Sequence, residues 1–350
     1  MNDERRKMKK LFLLLLCAAV SLGAAEAKKS APAKSAKKNV LPADVKVIDY
    51  KSSYDNTMQK AVVYYAKSKE PRPLVVALHT WSNVCQSVAS YCRYAQKADV
   101  HLVGPDFRGK NTVGNPLSMG SDAAVADIVS AVEMMKKQVR VDAERIYIIG
   151  GSGGGHMALL MAGRHPEIWA GVSAWCPISD LKKWCEFHKG QGYGAHIIRN
   201  LKGDPRSNAA AAEEAARRSP VSWLARAKDV AIDIGTGIHD GHTGSVPISE
   251  AFNAYNCIAA PADKVAEKDI EFMVKNEKAP AGTPEFKDPG YGRRKIHYRK
   301  VSGKVRITIF EGGHHILSDY GFTWLLQQRK GKAAVWQSVR GSGKSQQLTR

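Results

Sequence analysis

Apolar and polar positions along the chain alternate between two periods. PLVVALH (73–79) is an uninterrupted apolar run closed by a polar residue, the pattern of a parallel strand buried on both faces. HLVGPDF (101–107), RIYIIG (145–150), WAGVSAW (169–175), VAIDIGTGI (230–238) and VRITIFEGG (305–313) read the same way. Ahead of them, VKVIDY and KAVVYYAK (45–67) are two further strand-like runs. Between the strands the period changes to that of a helix. VCQSVASYCRYAQKA (84–98), DAAVADIVSAVEMMKKQV (122–139), GGHMALLMAGRH (154–165) and YGFTWLLQQRK (320–330) are the predicted helices, and Ser121 is placed to cap the second. Strands alternating with helices predict an α/β fold, a mainly parallel central sheet with helices on both faces.

Two stretches break the alternation. Residues 181–228 and 258–300 are mixed and polar, and are expected to be insertions at one end of the sheet, where such segments shape a pocket or lid. Within the first, NAAAAEEAARR (208–218) is a helix by propensity.

The N-terminal residues change the picture of the compartment. MNDERRKMKK is basic, LFLLLLCAAVSL is an apolar run too short for a stable membrane anchor, and Ala25-Glu26-Ala27 is a small-residue cleavage site. Residues 1–27 therefore read as a secretory signal peptide, with Met8 an equally good start, and the mature protein is expected to be secreted or periplasmic. Leu16 is too bulky for the lipoprotein cleavage that Cys17 would require. No later stretch is long and apolar enough for a membrane span. The remaining organisation is a basic linker (28–44), a folded domain (45–330) and a basic C-terminal tail (331–350).

The net charge of +20 sits largely in the flanks. Residues 1–40 hold ten Lys/Arg against three Asp/Glu, and residues 329–350 hold six against none. These segments read as solvated and able to make loose contact with anionic polymers; no specific nucleic-acid partner is expected. Five cysteines remain past the leader, so at least one is a free thiol. Cys85 and Cys92 lie about 10 Å apart on one helix, too far to bridge. Cys176 with Cys185 is the better disulfide candidate.

Candidate chemistry centres on Gly150-Gly151-Ser152-Gly153-Gly154. It satisfies G-x-S-x-G between a strand and a helix, where a serine on a strained turn stands clear of the sheet and side chains two positions either side would collide. The dinucleotide fingerprint fails because His156 replaces its last glycine, and GSGKS near the C-terminus has no preceding strand. A serine nucleophile needs a histidine base and an acid, following it in the order serine, acid, histidine. His314 follows the last strand behind two glycines and is the base; His315 is the alternative. Asp240 lies in a glycine-rich loop after the preceding strand and is the acid, whereas Asp233 lies inside that strand and reads as structural. The backbone N–H groups of Gly153 and Trp81, with Thr80 the alternative to the latter, are placed to form an oxyanion hole. His239, Asp240 and His242, or the His314-His315 pair, carry metal-ligand chemistry without a third well-spaced ligand, so neither a metal nor another cofactor is expected.

These segments together resemble the catalytic domain of the prolyl oligopeptidase family of serine hydrolases. PDFRG resembles its strand-end signature, VDAERIYIIGGSGGGHMALLMAGRHPEIWAGVSAWCPISDL its elbow segment, GIHDGHTGSVPISEAFNAYN its acid loop and EGGHHI its histidine loop. The likeness covers roughly residues 72–330. It implies an α/β-hydrolase fold with the two insertions near the active-site edge, and puts Ser152, Asp240 and His314 at the nucleophile, acid and base positions. Thr80-Trp81 stands where the family has a glycine pair, and the acid loop is longer by a few residues between Asp240 and Val246. About 45 residues precede the first strand, too few for the β-propeller of the large members. The expected substrates are small-molecule or carbohydrate acyl esters, with short peptides as the alternative. A non-catalytic binder of anionic polymer on the same scaffold is the rival from another class.

Overall fold

The apolar runs become the strands of one nine-stranded sheet. In chain order these are β1 (Val45–Lys51), β2 (Met58–Tyr64), β3 (Arg72–Leu78), β4 (His101–Pro105), β5 (Val141–Gly151), β6 (Gly171–Trp175), β7 (Ala231–Gly237), β8 (Ile296–Ser302) and β9 (Val305–Phe310). They lie in the order β1-β2-β4-β3-β5-β6-β7-β9-β8. The six from β4 to β9 are parallel, and the sheet turns antiparallel at both margins, where β1 and β2 lead in and β8 leads out. This is the sheet of an α/β-hydrolase. The computed structural model describes residues 41–337; the leader expected at 1–27, most of the linker 28–44 and residues 338–350 of the tail lie outside them. Among the described residues, no helix is long and apolar enough to cross a membrane.

The two-residue period of the strands divides the core. Leu74, Val76, Ile146 and Ile148 face one side, packed with α2 (Asp122–Gln138), α3 (Gly153–Arg164) and α7 (Ser249–Ile258). Val75, Ala77, Tyr147 and Ile149 face the other, against α1 (Cys92–Ala98) and α9 (Ser318–Leu325). Each such aliphatic side chain removed from water contributes roughly 1.5–3 kcal/mol, which is why the parallel strands read as unbroken apolar runs. Ser121 caps α2 as expected, accepting from the Ala124 N–H. The arginine of PDFRG has a structural task. Arg108 binds Asp127 on α2 (2.8 Å), Asp55 in the β1–β2 turn (2.7 Å) and Ser52 (3.0 Å), tying the antiparallel margin to the helical layer.

Three local expectations are corrected. The helix over 84–98 opens as a 3-10 segment, Cys85–Tyr91, before α1. The tighter winding brings Cys85, Val88 and Tyr91, each three residues on, to one buried face. Val88 lies on the backbone at Gly104, where a Cβ would meet its Cγ2 at 2.2 Å. The stretch 258–300 is not wholly an insertion: after α8 (Glu267–Asn276), Ile296–Ser302 forms edge strand β8 against β9. Only Ile296 and Ser302 of that strand are fully buried; its basic residues are half-covered, Arg299 paired with Asp288 and His297 with Glu311, and their polarity hides the strand pattern. No Cys176–Cys185 disulfide forms. All five described cysteines are free: Cys176 faces the acid loop, and Cys185 lies on α4 (Leu181–Phe187) with its thiol toward Gly194 O.

The first insertion folds into α4, α5 (Tyr193–Leu201) and α6 (Ala209–Arg218). It buries Trp184, Ile197 and Ala215 together with Trp81 in a third apolar cluster. At the other end, Val335 and Trp336 pack on the domain. Trp336 stacks on Trp324 (5.6 Å between ring centroids), Val335 O accepts from Trp324 Nε1 (2.7 Å), and Arg306 donates to Trp336 O (2.9 Å).

Candidate active site

The elbow lies at the carboxyl end of β5. Ser152 has φ +56° and ψ −122°, backbone space that a side chain rarely occupies. Its N–H donates to Trp175 O (2.8 Å) and its carbonyl accepts from His156 N (2.9 Å), so the strained turn is fastened to β6 and to α3. The bare neighbours follow from close approach. A Cβ on Gly150 would sit 2.2 Å from Gly154 O, and one on Gly153 would sit 2.6 Å from the Trp81 backbone nitrogen. The latter contact puts the backbone amides of Gly153 and Trp81 side by side. Gly153 is the first residue of α3, so its N–H has no intrahelical partner and carries the positive end of the helix. The β3–α1 loop that presents Trp81 is held by Asn111 N donating to Trp81 O (3.0 Å) and by the Trp81 indole, which packs edge-on to Trp184 at 4.8 Å.

Asp240 follows β7 and is 2% exposed. Its Oδ1 accepts from Gly241 N (3.1 Å) and Val246 N (3.2 Å); its Oδ2 faces Thr236 Oγ1 (3.5 Å) and accepts from His314 Nδ1 (2.7 Å). The extra residues of this loop curl back over the carboxylate, and Gly244 lies so close that a Cβ there would be 2.1 Å from Oδ1. His314 follows β9 behind Gly312 and Gly313. The structure thus brings His314, and not His315, to Asp240; His315 contributes its carbonyl, which accepts from Cys176 Sγ (3.4 Å). Asp233 is buried inside β7 and paired with Arg306 (2.8 Å), the structural role expected for it.

Ser152 and the Asp240–His314 pair share the same sheet edge. Trp175, bonded to the Ser152 N–H, is followed by Cys176, whose sulfur lies within 4.8 Å of donor atoms on both Asp240 and His314. Ile316, two residues past His314, occupies the space a Cβ on Gly151 would take. Ser152 Oγ forms no direct hydrogen bond to the ring among the described residues; such bonds are often long in a substrate-free site and tighten around substrate.

Cys176 is the residue that sequence reasoning missed. It is fully buried, has φ +44°, and donates its N–H to Gly235 O (2.7 Å). Burial, and then the Asp240 charge, push its thiol well above the ordinary range. Its position directly past the carboxyl end of a parallel strand was the available signal. The histidines weighed as metal ligands diverge instead. His239 sits between Glu277 (2.5 Å) and Glu311 (2.8 Å), hydrogen bonds that raise its pKa in that order, and His242 Nε2 turns to Val274 O (2.6 Å). His239 and His297, the latter on the second oxygen of Glu311, line a cavity of about 730 Å³.

A profile of the prolyl oligopeptidase family matches residues 87–270, more than half of the chain. The chain belongs to the prolyl oligopeptidase family. Among curated members, it is 26% identical over 113 residues to the acylamino-acid-releasing enzyme of Rattus norvegicus (30% of this chain, 14% of that one). It is 23% identical over 145 residues to the enzyme of the same name from Mus musculus (39% and 18%). The chain therefore spans under a fifth of the length of these relatives. Solved structures show the same fold. Pyrococcus horikoshii acylaminoacyl peptidase superposes with TM-score 0.52 at 15% identity, covering 77% of this chain and 37% of its own. A Mycobacterium tuberculosis puromycin-hydrolyzing peptidase does so with TM-score 0.53 at 14% identity, covering 82% and 39%. The family is one of serine hydrolases, the chemistry to which a strained serine beside a histidine–carboxylate pair belongs.

Proposed function

We propose that this chain hydrolyses acyl bonds through Ser152, His314 and Asp240. Ser152 Oγ attacks the carbonyl carbon while His314 Nε2 takes its proton. Asp240 holds Nδ1–H, so that Nε2 is the free acceptor, and balances the imidazolium that forms. The developing oxyanion is received by the N–H groups of Gly153 and Trp81. The imidazolium then protonates the leaving group, and water, deprotonated by the same ring, releases the acyl group. The observation that carries this reading is the 2.7 Å bond from His314 Nδ1 to a buried Asp240, formed at the sheet edge where Ser152 is strained outward.

The substrate we propose is a small or carbohydrate-borne acyl ester. A second reading, cleavage of short or N-acylated peptides, is supported by relatives named for releasing acylamino acids and hydrolysing puromycin. The leader read at residues 1–27 supports action outside the cytoplasm, secreted or periplasmic, with the basic flanks in loose contact with anionic polymer. The test is a substrate panel of p-nitrophenyl acetate, an acetylated xylan, an N-acetyl-amino acid p-nitroanilide and a prolyl p-nitroanilide, each with wild type and Ser152→Ala. Turnover of the esters alone supports the first reading, and turnover of the anilides the second. If neither is turned over and the protein is retained on an anionic polymer in a salt-sensitive way, a binder is indicated and the proposal fails.

A further inference from the structure

The buried thiol beside the Asp240–His314 pair has no part in acyl transfer, and it gives the site a second chemistry. A sulfur of Cys176, a carboxylate oxygen of Asp240 and a ring nitrogen of His314 all lie within 4.8 Å of one another. Among the described residues this is the one Cys/His/carboxylate set whose donor atoms converge. The larger histidine–glutamate group around His239 does not, because His239 and His297 face different oxygens of Glu311.

We propose that Cys176, Asp240 and His314 bind a thiophilic divalent cation of the Zn²⁺ type, and that its binding switches the hydrolase off. The donor set selects the ion. One sulfur, one imidazole nitrogen and one carboxylate oxygen suit Zn²⁺ or Cd²⁺ and not the hard, oxygen-seeking Mg²⁺ or Ca²⁺. Charge selects it too. A thiolate and a carboxylate neutralise two positive charges, so the buried complex is neutral, the state that low-polarity surroundings tolerate. Metal–ligand bonds of about 2.0–2.3 Å fit three atoms already this close, and the 2.7 Å contact of His314 with Asp240 opens to admit the ion. The carboxylate is already oriented by Gly241 N, Val246 N and Thr236 Oγ1, outer contacts of the kind that support metal ligands. Of the three side chains only that of His314 reaches solvent, at 27% exposure, so the ion enters past its ring.

The proton balance explains the loss of activity. The thiol proton leaves to solvent as the metal–sulfur bond forms, and no electron moves. The imidazole gives Nδ1 to the metal and carries its proton on Nε2. That nitrogen then donates where the reaction needs it to accept, and Ser152 loses its base. Inhibition rests on the proposed triad; coordination does not, so the two are tested apart.

Coordination is read from the ultraviolet thiolate-to-cadmium charge-transfer band, titrating reduced, metal-free Ser152→Ala with Cd²⁺. One equivalent of band is expected there, and none in Ser152→Ala with Cys176→Ala or with the near-isosteric Cys176→Ser, folding being checked by circular dichroism. No band in Ser152→Ala, or a band of equal strength in either double variant, overturns the proposal whatever becomes of the triad. Inhibition is read from hydrolysis by otherwise wild-type enzyme. Zn²⁺ should inhibit reversibly, with recovery on chelation, and Cys176→Ser should raise the half-inhibiting concentration by about tenfold or more. An unchanged concentration overturns the inhibitory role.

Discussion

His314 Nδ1 lies 2.7 Å from Asp240 Oδ2, across 74 residues of chain and at the ends of neighbouring parallel strands. Three further hydrogen-bond donors, two of them backbone amides, also hold the carboxylate. Asp240→Asn should therefore remove roughly 10⁴ from kcat by favouring the wrong imidazole tautomer, with KM little changed. Asp233→Asn gives the contrast. It breaks the buried pair with Arg306, so it should lower the unfolding free energy by about 3–5 kcal/mol while the folded fraction keeps its kcat. Steady-state kinetics and denaturant titration on both variants check this.

The oxyanion assignment concerns a backbone, not an indole. Trp81→Phe keeps the Trp81 amide and should keep most of kcat. Gly153→Ala places a methyl 2.6 Å from the Trp81 nitrogen, parting the two amides, and should lower kcat by about 10²–10³, the loss expected for one donor. Equal effects of the two substitutions on kcat in folded protein would count against the assignment.

Much of this site is legible in the sequence because its parts are local. PLVVALH and RIYIIG are strands by their unbroken apolar character, and the glycines around Ser152 are legible as one short motif, although only the Gly150–Gly154 contact is local and Gly151 and Gly153 are crowded by Ile316 and Trp81. Asp240 and His314 are legible as residues just past late strands. What escaped is non-local or solvated. Cys176 meets Asp240 and His314 across 64 and 138 positions, and its place directly past a parallel strand is the one local signal of that contact. Strand β8 carries basic residues whose partners lie elsewhere in the chain, Arg299 with Asp288 and His297 with Glu311, which gives it the polarity of a loop. The return of Val246 N–H to Asp240, which accommodates the longer acid loop, has no pattern at all.

Glu250 on α7 couples the acid-loop helix to the first insertion. One of its oxygens accepts from Ser179 N (2.7 Å), Ser179 Oγ (2.9 Å) and Asp180 N (2.8 Å). Complete burial outweighs these donors and pushes its carboxyl up to about 7, against an ordinary value of 4.5. The unfolded chain thus releases this proton before the native one does. Stability from Glu250 is full below pH 4.5 and is lost as pH rises through about 7, by at most about 3 kcal/mol. Thermal melts of wild type and Glu250→Gln between these limits should show the slope in the former and its loss in the latter.

The domain should need its chain beyond residue 330. Truncation there removes Trp336 from Trp324 and leaves Trp324 Nε1 and Arg306 Nη1 without their carbonyls, about 1–3 kcal/mol for each buried donor. Truncation after residue 337 retains all three contacts. Chemical denaturation of the two forms should separate them by several kcal/mol, and equal midpoints would show that the docked segment is energetically idle.

The central claim is that Ser152 is an activated nucleophile, and covalent capture tests it most directly. Folded wild-type protein treated with a fluorophosphonate should gain one adduct by intact mass, located by peptide mapping on Ser152, with labelling abolished in Ser152→Ala and slowed in His314→Ala. An adduct on another residue, or none on wild type, would contradict the account.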